Sequence, residues 1–170
     1  MVERKRKYIA QASEIGQATE VSAVSPPTRD EFAAMAKRGT VHQDIGAEED
    51  FANILKKSVP AVEFEIAGRS PLSEQYESGE LIERLRERGL FVDDDRMGHV
   101  FVGTTPENLV AITNAKTPFE FGRAHGYSDD DIAAFYVKRR GGDVDLGYAE
   151  YAQDIPTEES LVAQGPAHLE

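Results

Sequence analysis

The sequence predicts an α+β fold, with about six helices packed around a small, mainly antiparallel sheet of roughly three strands and flexible N- and C-terminal tails. Three observations predict it. Six stretches carry apolar residues at helical spacing, most with their own start and stop signals. "PAVEFEIAG" alternates apolar and acidic residues with period two, as a half-wet strand does. "LFVDDDRMGHVFVG" is two apolar runs separated by turn-forming residues, the pattern of a hairpin.

The elements follow in order. "TRDEFAAMAKRG" opens with Thr28 as N-cap and Glu31 three residues on, a capping box, and Gly39 ends it. "GAEEDFANILKKS" places Phe51, Ile54 and Leu55 on one face. Its acids lie in the first turn and its lysines in the last, as the helix dipole favours. Val62, Phe64 and Ile66 form the inner face of the first strand. "SGELIERLRERGL" buries Leu81, Ile82 and Leu85 and stops at Gly89. Leu90–Val92 and His99–Val102 are the two arms of the hairpin, with Asp93, Asp94 and Asp95 in its turn. Thr105–Pro106 and Thr117–Pro118 start two further helices, because proline suits the first helical position. Ser128 caps the last helix, Ile132, Phe135 and Tyr136 are its buried stripe, and Gly141 ends it. A βαβ arrangement of Pro60–Gly68, Ser78–Leu90 and His99–Gly103 is the alternative topology.

These elements divide the chain into a flexible arm over 1–27, one folded domain over 28–140 and an acidic tail over 141–170. The arm holds the basic run Arg4–Lys7 and ends in Pro26 and Pro27. The tail has seven acids and no Lys or Arg.

Net charge is −12, from 31 acids against 19 Lys and Arg. An acidic surface repels phosphate backbones and anionic membranes, so nucleic acid and membrane are not expected as partners. With no cysteine, disulfides, thiolate metal sites and cysteine nucleophiles are excluded. No apolar run approaches the roughly 18 to 20 residues that span a bilayer. A cytoplasmic location is the expectation.

The most chemical stretch is "FGRAHGYSDDDIAAFYVKRRGG". Helix capping accounts for Ser128 and the three aspartates at one end and for Lys138–Arg140 at the other. What remains is Arg123, His125 and Tyr127 at a joint between two helices. His125 could serve as a general base near neutral pH, and Arg123 could hold a carboxylate or phosphate. These three are the candidate catalytic or ligand-binding residues. The four histidines, His42, His99, His125 and His168, have no zinc-site spacing, so no metal is expected. Asp143–Asp154 departs from a calcium loop at its glycine, its third acid and its twelfth position. Phosphate-cradling glycine loops and the G-x-S-x-G elbow are absent, so no cofactor is expected.

A helix followed directly by a hairpin, as in Glu80–Gly103, also resembles the ending of many winged-helix domains, which lay such a helix in the DNA major groove. Here Asp93, Asp94 and Asp95 oppose DNA contact. The expectation is therefore a non-enzymatic protein acting through protein–protein interaction: an adaptor, inhibitor or immunity-type partner of a protein with a basic surface. A small enzyme or ligand-binding domain at Arg123, His125 and Tyr127 is the first alternative. A winged-helix-like regulator is the second.

Overall fold

Eight helices and one three-stranded antiparallel sheet are present among the residues that the computed structural model describes, 25–42 and 46–156. The fold is α+β. Of the tails expected over 1–27 and 141–170, residues 1–24 and 157–170 lie outside the described residues. In chain order the elements are α1 (Arg29–Arg38), α2 (Gly46–Leu55), β1 (Ala61–Glu65), α3 (Pro71–Glu77), α4 (Glu80–Glu87), β2 (Phe91–Asp94), β3 (His99–Gly103), α5 (Pro106–Asn114), α6 (Pro118–His125), α7 (Asp129–Arg139) and α8 (Val144–Asp154). Two of these, α3 and α8, add to the six helices that the sequence predicts. The second lies in the stretch expected as an acidic tail. The described residues gather into two compact units, 46–115 with 124–126, and 25–42 with 116–123 and 127–156.

In the first unit β3 is the central strand, in the order β1-β3-β2, and it pairs antiparallel with both neighbours. This corrects the βαβ alternative, which needs β1 and β3 side by side and parallel. The α3–α4 crossover delivers the chain to β2, and the tight hairpin then returns β3 into the space beside β1. Pairing Val62 with Val102, Phe64 with Val100 and Val92 with Val102 puts all five on one face. They form a buried core with Phe51, Ile54, Leu72, Leu81, Leu85 and Leu90. The hairpin turn is the four residues 95–98, within the four to six that the sequence suits, and Asp93 and Asp94, read as turn residues, belong to β2. Gly98 closes it at φ +96°, where a Cβ would lie 2.9 Å from the carbonyl oxygen of Ile66. The other end of β3 is Gly103, against which α5 packs closely. A Cβ there would stand 2.4 Å from the Leu109 nitrogen.

The second unit is built on α1, α7 and α8, with the start of α6. Its core is Phe32, Phe119, Ile132, Ala133, Tyr136, Tyr151 and Ile155. Tyr136 is fully buried, so its hydroxyl must be satisfied inside. It accepts the Phe119 N–H (2.9 Å) and donates to Asp154 Oδ2 (2.6 Å), tying the beginning of α6 to the end of α8. Burial, reinforced by the Asp154 carboxylate, drives its pKa far above the usual phenol value. At the other end Tyr148 donates to the Pro27 carbonyl (2.7 Å), and Arg29 pairs with Asp145 (2.7 Å). Thr28 caps α1 with the capping box that its sequence predicts.

Two substitutions test these packings. Gly103→Ala is expected to cost about 2 kcal/mol, because backbone rather than a movable side chain opposes the new methyl group. Tyr136→Phe is expected to cost about 1–3 kcal/mol by leaving the Phe119 N–H and the Asp154 carboxylate without their buried partner. Urea unfolding of each variant measures both; midpoints equal to wild type would contradict the packing described.

Candidate functional site

Each of the three residues singled out at the helix joint has a structural partner or a buried setting. Arg123 lies against Asp129, Nε and Nη2 each 3.3 Å from a carboxylate oxygen, and its guanidinium sits 4.8 Å above the Phe119 ring. Tyr127 stacks on His42, with ring centroids 4.6 Å apart and planes 8° from parallel. His125 is largely buried, and burial pushes its pKa down to about 4, so it is neutral at pH 7. Arg123 and Tyr127 belong to the second unit and His125 to the first.

The aspartates that follow are also held. Asp130 receives Arg38 through Nε and Nη2 (3.1 and 3.3 Å). Asp131 accepts the Thr40 N–H (2.8 Å) on one oxygen and meets His42 Nε2 (2.7 Å) on the other. The Thr40 N–H, then His42, holds its carboxyl below the usual carboxylate range. Sequence reasoning missed His42 as a partner because 89 residues separate it from Asp131. His99 pairs with Glu63 across β1 and β3 and lies against the Phe101 ring. His168 lies outside the described residues. Among the described residues no group of three or more His, Asp and Glu side chains is placed to hold a metal ion. No helix among them is long and apolar enough to cross a membrane.

The first unit has a concave surface of another kind. The end of α3, one side of α4 and the hairpin enclose a groove of about 690 Å³. Tyr76 lines it, and its hydroxyl donates to Asp94 Oδ1 (2.7 Å) and accepts the Gly98 N–H (3.0 Å). Burial first, and then Asp94, raises the Tyr76 pKa. The hairpin is stiffened by its own acids. Asp94 Oδ1 accepts the Arg96 N–H (2.9 Å), and Asp95 Oδ1 accepts the N–H groups of Met97 (2.7 Å) and His99 (3.0 Å). Those two N–H groups hold the Asp95 carboxyl below its usual range.

Along the groove and the faces beside it runs a row of glutamates, Glu74, Glu77, Glu80, Glu83 and Glu87, three or four residues apart and all exposed. Helical spacing offers Arg84 to Glu80 as a partner. Arg84 is used elsewhere: it donates to Gln75 Oε1 (2.8 Å) and lies over the Phe51 ring at 5.2 Å. Among the described residues none of the five glutamates has a salt bridge. Arg86 and Arg96 are the cations that line the groove.

The buried histidine gives a signed pH dependence. Its folded pKa of about 4 lies below the usual value near 6.5, so between those values the unfolded chain binds the extra proton. This contribution to stability is complete above pH 6.5 and is lost as pH falls toward 4. It amounts to about 2 kcal/mol by pH 5. Chemical denaturation at pH 7 and pH 5 measures it, and His125→Gln is expected to flatten that part of the profile. A wild-type profile without a slope between pH 6.5 and 5 would contradict the neutral, buried state. No family model, curated protein or solved structure matches this chain.

Proposed function

We propose that this chain is a non-enzymatic interaction protein, an adaptor, inhibitor or immunity-type partner, that receives a basic segment of another protein on the α3–α4–hairpin face of its first unit. The observation that carries this reading is the row of glutamates from Glu74 to Glu87 without salt bridges beside an open groove. Exposed carboxylates without internal partners are available to cations from outside. They also steer a basic partner into encounter. The groove is wide and polar, suited to a polypeptide segment more than to an enclosed small molecule.

Winged-helix-like regulation is the second reading, favoured by one specific observation. α3, a two-residue turn and α4 lead straight into the β2–β3 hairpin, and β1 pairs on the far side of β3. This resembles the arrangement in which a winged-helix domain presents a helix and a hairpin to DNA. The exposed residues of α4 include Glu80, Glu83 and Glu87, which repel a phosphate backbone. The same surface is therefore read as a protein-binding face.

The test uses a fluorescent Lys/Arg-rich peptide of about a dozen residues, titrated with the full chain and followed by anisotropy. Binding is expected at 50 mM salt and is expected to weaken several-fold at 300 mM. E77Q/E83Q/E87Q is expected to weaken it about tenfold, a loss of about 1.4 kcal/mol. His125→Ala is expected to leave it unchanged. Equal affinity in the triple variant, or no dependence on salt, would overturn the reading. A shift of labelled duplex DNA at low salt would favour the second reading instead.

A further inference from the structure

The sheet of the first unit has β1 as one of its edges, paired among the described residues with β3 alone. The bonds from the Ile66 N–H to the Gly98 carbonyl (2.6 Å) and from the Thr104 N–H to the Pro60 carbonyl (2.9 Å) fix the phase of that ladder. Pro60, Val62, Phe64 and Ile66 turn their backbone groups toward β3, so Ala61, Glu63 and Glu65 turn theirs to the opposite side. Ala61 is fully buried, whereas Glu63 is half-buried and Glu65 is exposed. Among the described residues nothing hydrogen-bonds to the backbone N–H or carbonyl of Glu63 or Glu65. We propose that the Glu63–Glu65 edge of β1 receives an extended segment of a partner protein as a fourth strand, and that this segment alternates cationic and apolar residues. The proposal concerns a second surface and does not rest on the reading of the α3–α4–hairpin face.

Unpaired backbone is the first support. Two edge residues present two donors and two acceptors to an added strand, and such main-chain bonds supply affinity while side chains supply specificity. No proline, glycine or lysine stands among the five residues of β1 to block the edge.

Side-chain alternation is the second support. Glu63 and Glu65 lie on one face of the sheet, and Phe64 lies on the other, in the core, with Ile66 packed against it. On an added strand, cations suit the positions opposite the glutamates, and apolar residues between them extend the face that Phe64 begins. Glu63 already meets His99, so Glu65, which has no salt bridge among the described residues, is the stronger attractor. The same charges decide against a second copy. Pairing Glu63–Glu65 with the same segment of another molecule sets glutamate opposite glutamate, which is destabilising.

The test uses the nitrogen-15-labelled full chain and an acetylated, amidated peptide, Lys-Val-Lys-Val-Lys, with amide hydrogen exchange followed by NMR. At saturating peptide the Glu63 and Glu65 amides are expected to exchange about tenfold more slowly. The same peptide N-methylated at its lysines keeps its charges and loses the donors that would face β1. It is expected to give about tenfold less protection at these two amides. Glu65→Pro removes an N–H that the β3 ladder does not use, and it is expected to abolish the protection at Glu63 while Val62 and Phe64 stay protected. Unchanged exchange of both amides at saturating peptide, or equal protection by the N-methylated peptide, overturns the proposal. Protection that appears with rising concentration of the chain alone gives the edge to a second copy and also overturns it. E77Q/E83Q/E87Q separates this site from the groove and is expected to leave the protection at Glu63 and Glu65 intact. Protection lost in that variant assigns the peptide to the groove and overturns the edge as its site.

Discussion

A chain with 31 acids and 19 Lys and Arg residues must place its surplus charge where folding does not bring like charges together in a poorly solvated interior. That constraint organises this protein. The second unit solves it by pairing. Asp129, Asp130 and Asp131 stand in succession at the start of α7, and each has its own partner: Arg123, Arg38, and the Thr40 N–H with His42. Glu150 is held by both Arg139 and Arg140. The helix dipole and the unpaired N–H groups at that terminus add to the stabilisation of the aspartates. The first unit solves the same problem differently. Its glutamates along α3 and α4 point into water, and Arg84 is spent on Gln75 and the Phe51 ring.

The two solutions have different consequences for chemistry. Residues that look reactive by type, Arg123, His125 and Tyr127, sit where the helix joint needs them. An Arg over an aromatic ring and against a carboxylate orders a loop. A histidine with a pKa near 4 accepts protons poorly at neutral pH, because the charged form would lose its hydration on burial. Tyr136 is more buried still and holds two helix ends together through one hydroxyl. Residues that look unremarkable by type, the glutamates of α3 and α4, keep their charges unspent. Availability is what recognition by charge requires, and it is decided by partners.

Much of this architecture is legible in the sequence. Thr28 with Glu31, Ser128 with the aspartates after it, and the two Thr-Pro starts mark helix ends in local chemistry that needs no tertiary information. The alternation at Val62–Phe64 gives β1 and its inner face. Less legible are α3 and α8. The first is seven residues long, with Leu72 its only buried apolar side chain, though Ser70 and Pro71 form a recognisable start. α8 reads as a tail because its acids outnumber its core residues. It is a helix because Asp143 caps it and Tyr151 enters the core, while Gly147 lets its backbone approach Val137. Strand order is not legible, since nothing local says that β3 returns between β1 and β2. The partner of His42 is hidden for the same reason. The glutamate spacing is present in the sequence, but Arg84 has to be located before those charges can be known to be unpaired.

A helix and a hairpin that converge on one face are a neutral scaffold for recognition, and the side chains on that face set the class of partner. With Lys and Arg outward, such a face gains from counterion release at a phosphate backbone. Here Glu74, Glu77, Glu80, Glu83 and Glu87 stand against Arg84, Arg86 and Arg88, all exposed, so the face as a whole is net acidic and that gain is lost. The stiffness of the hairpin is independent of this choice, because Asp94 and Asp95 are consumed in holding the turn through the N–H groups of Arg96, Met97 and His99. Acids at the hairpin are thus partly structural, and acids on α4 are the ones free to be read. The distinction separates a face that merely avoids DNA from one that attracts cations. On α4 the carboxylates of Glu80, Glu83 and Glu87 are exposed, and Arg84 lies on Gln75 and the Phe51 ring rather than on Glu80.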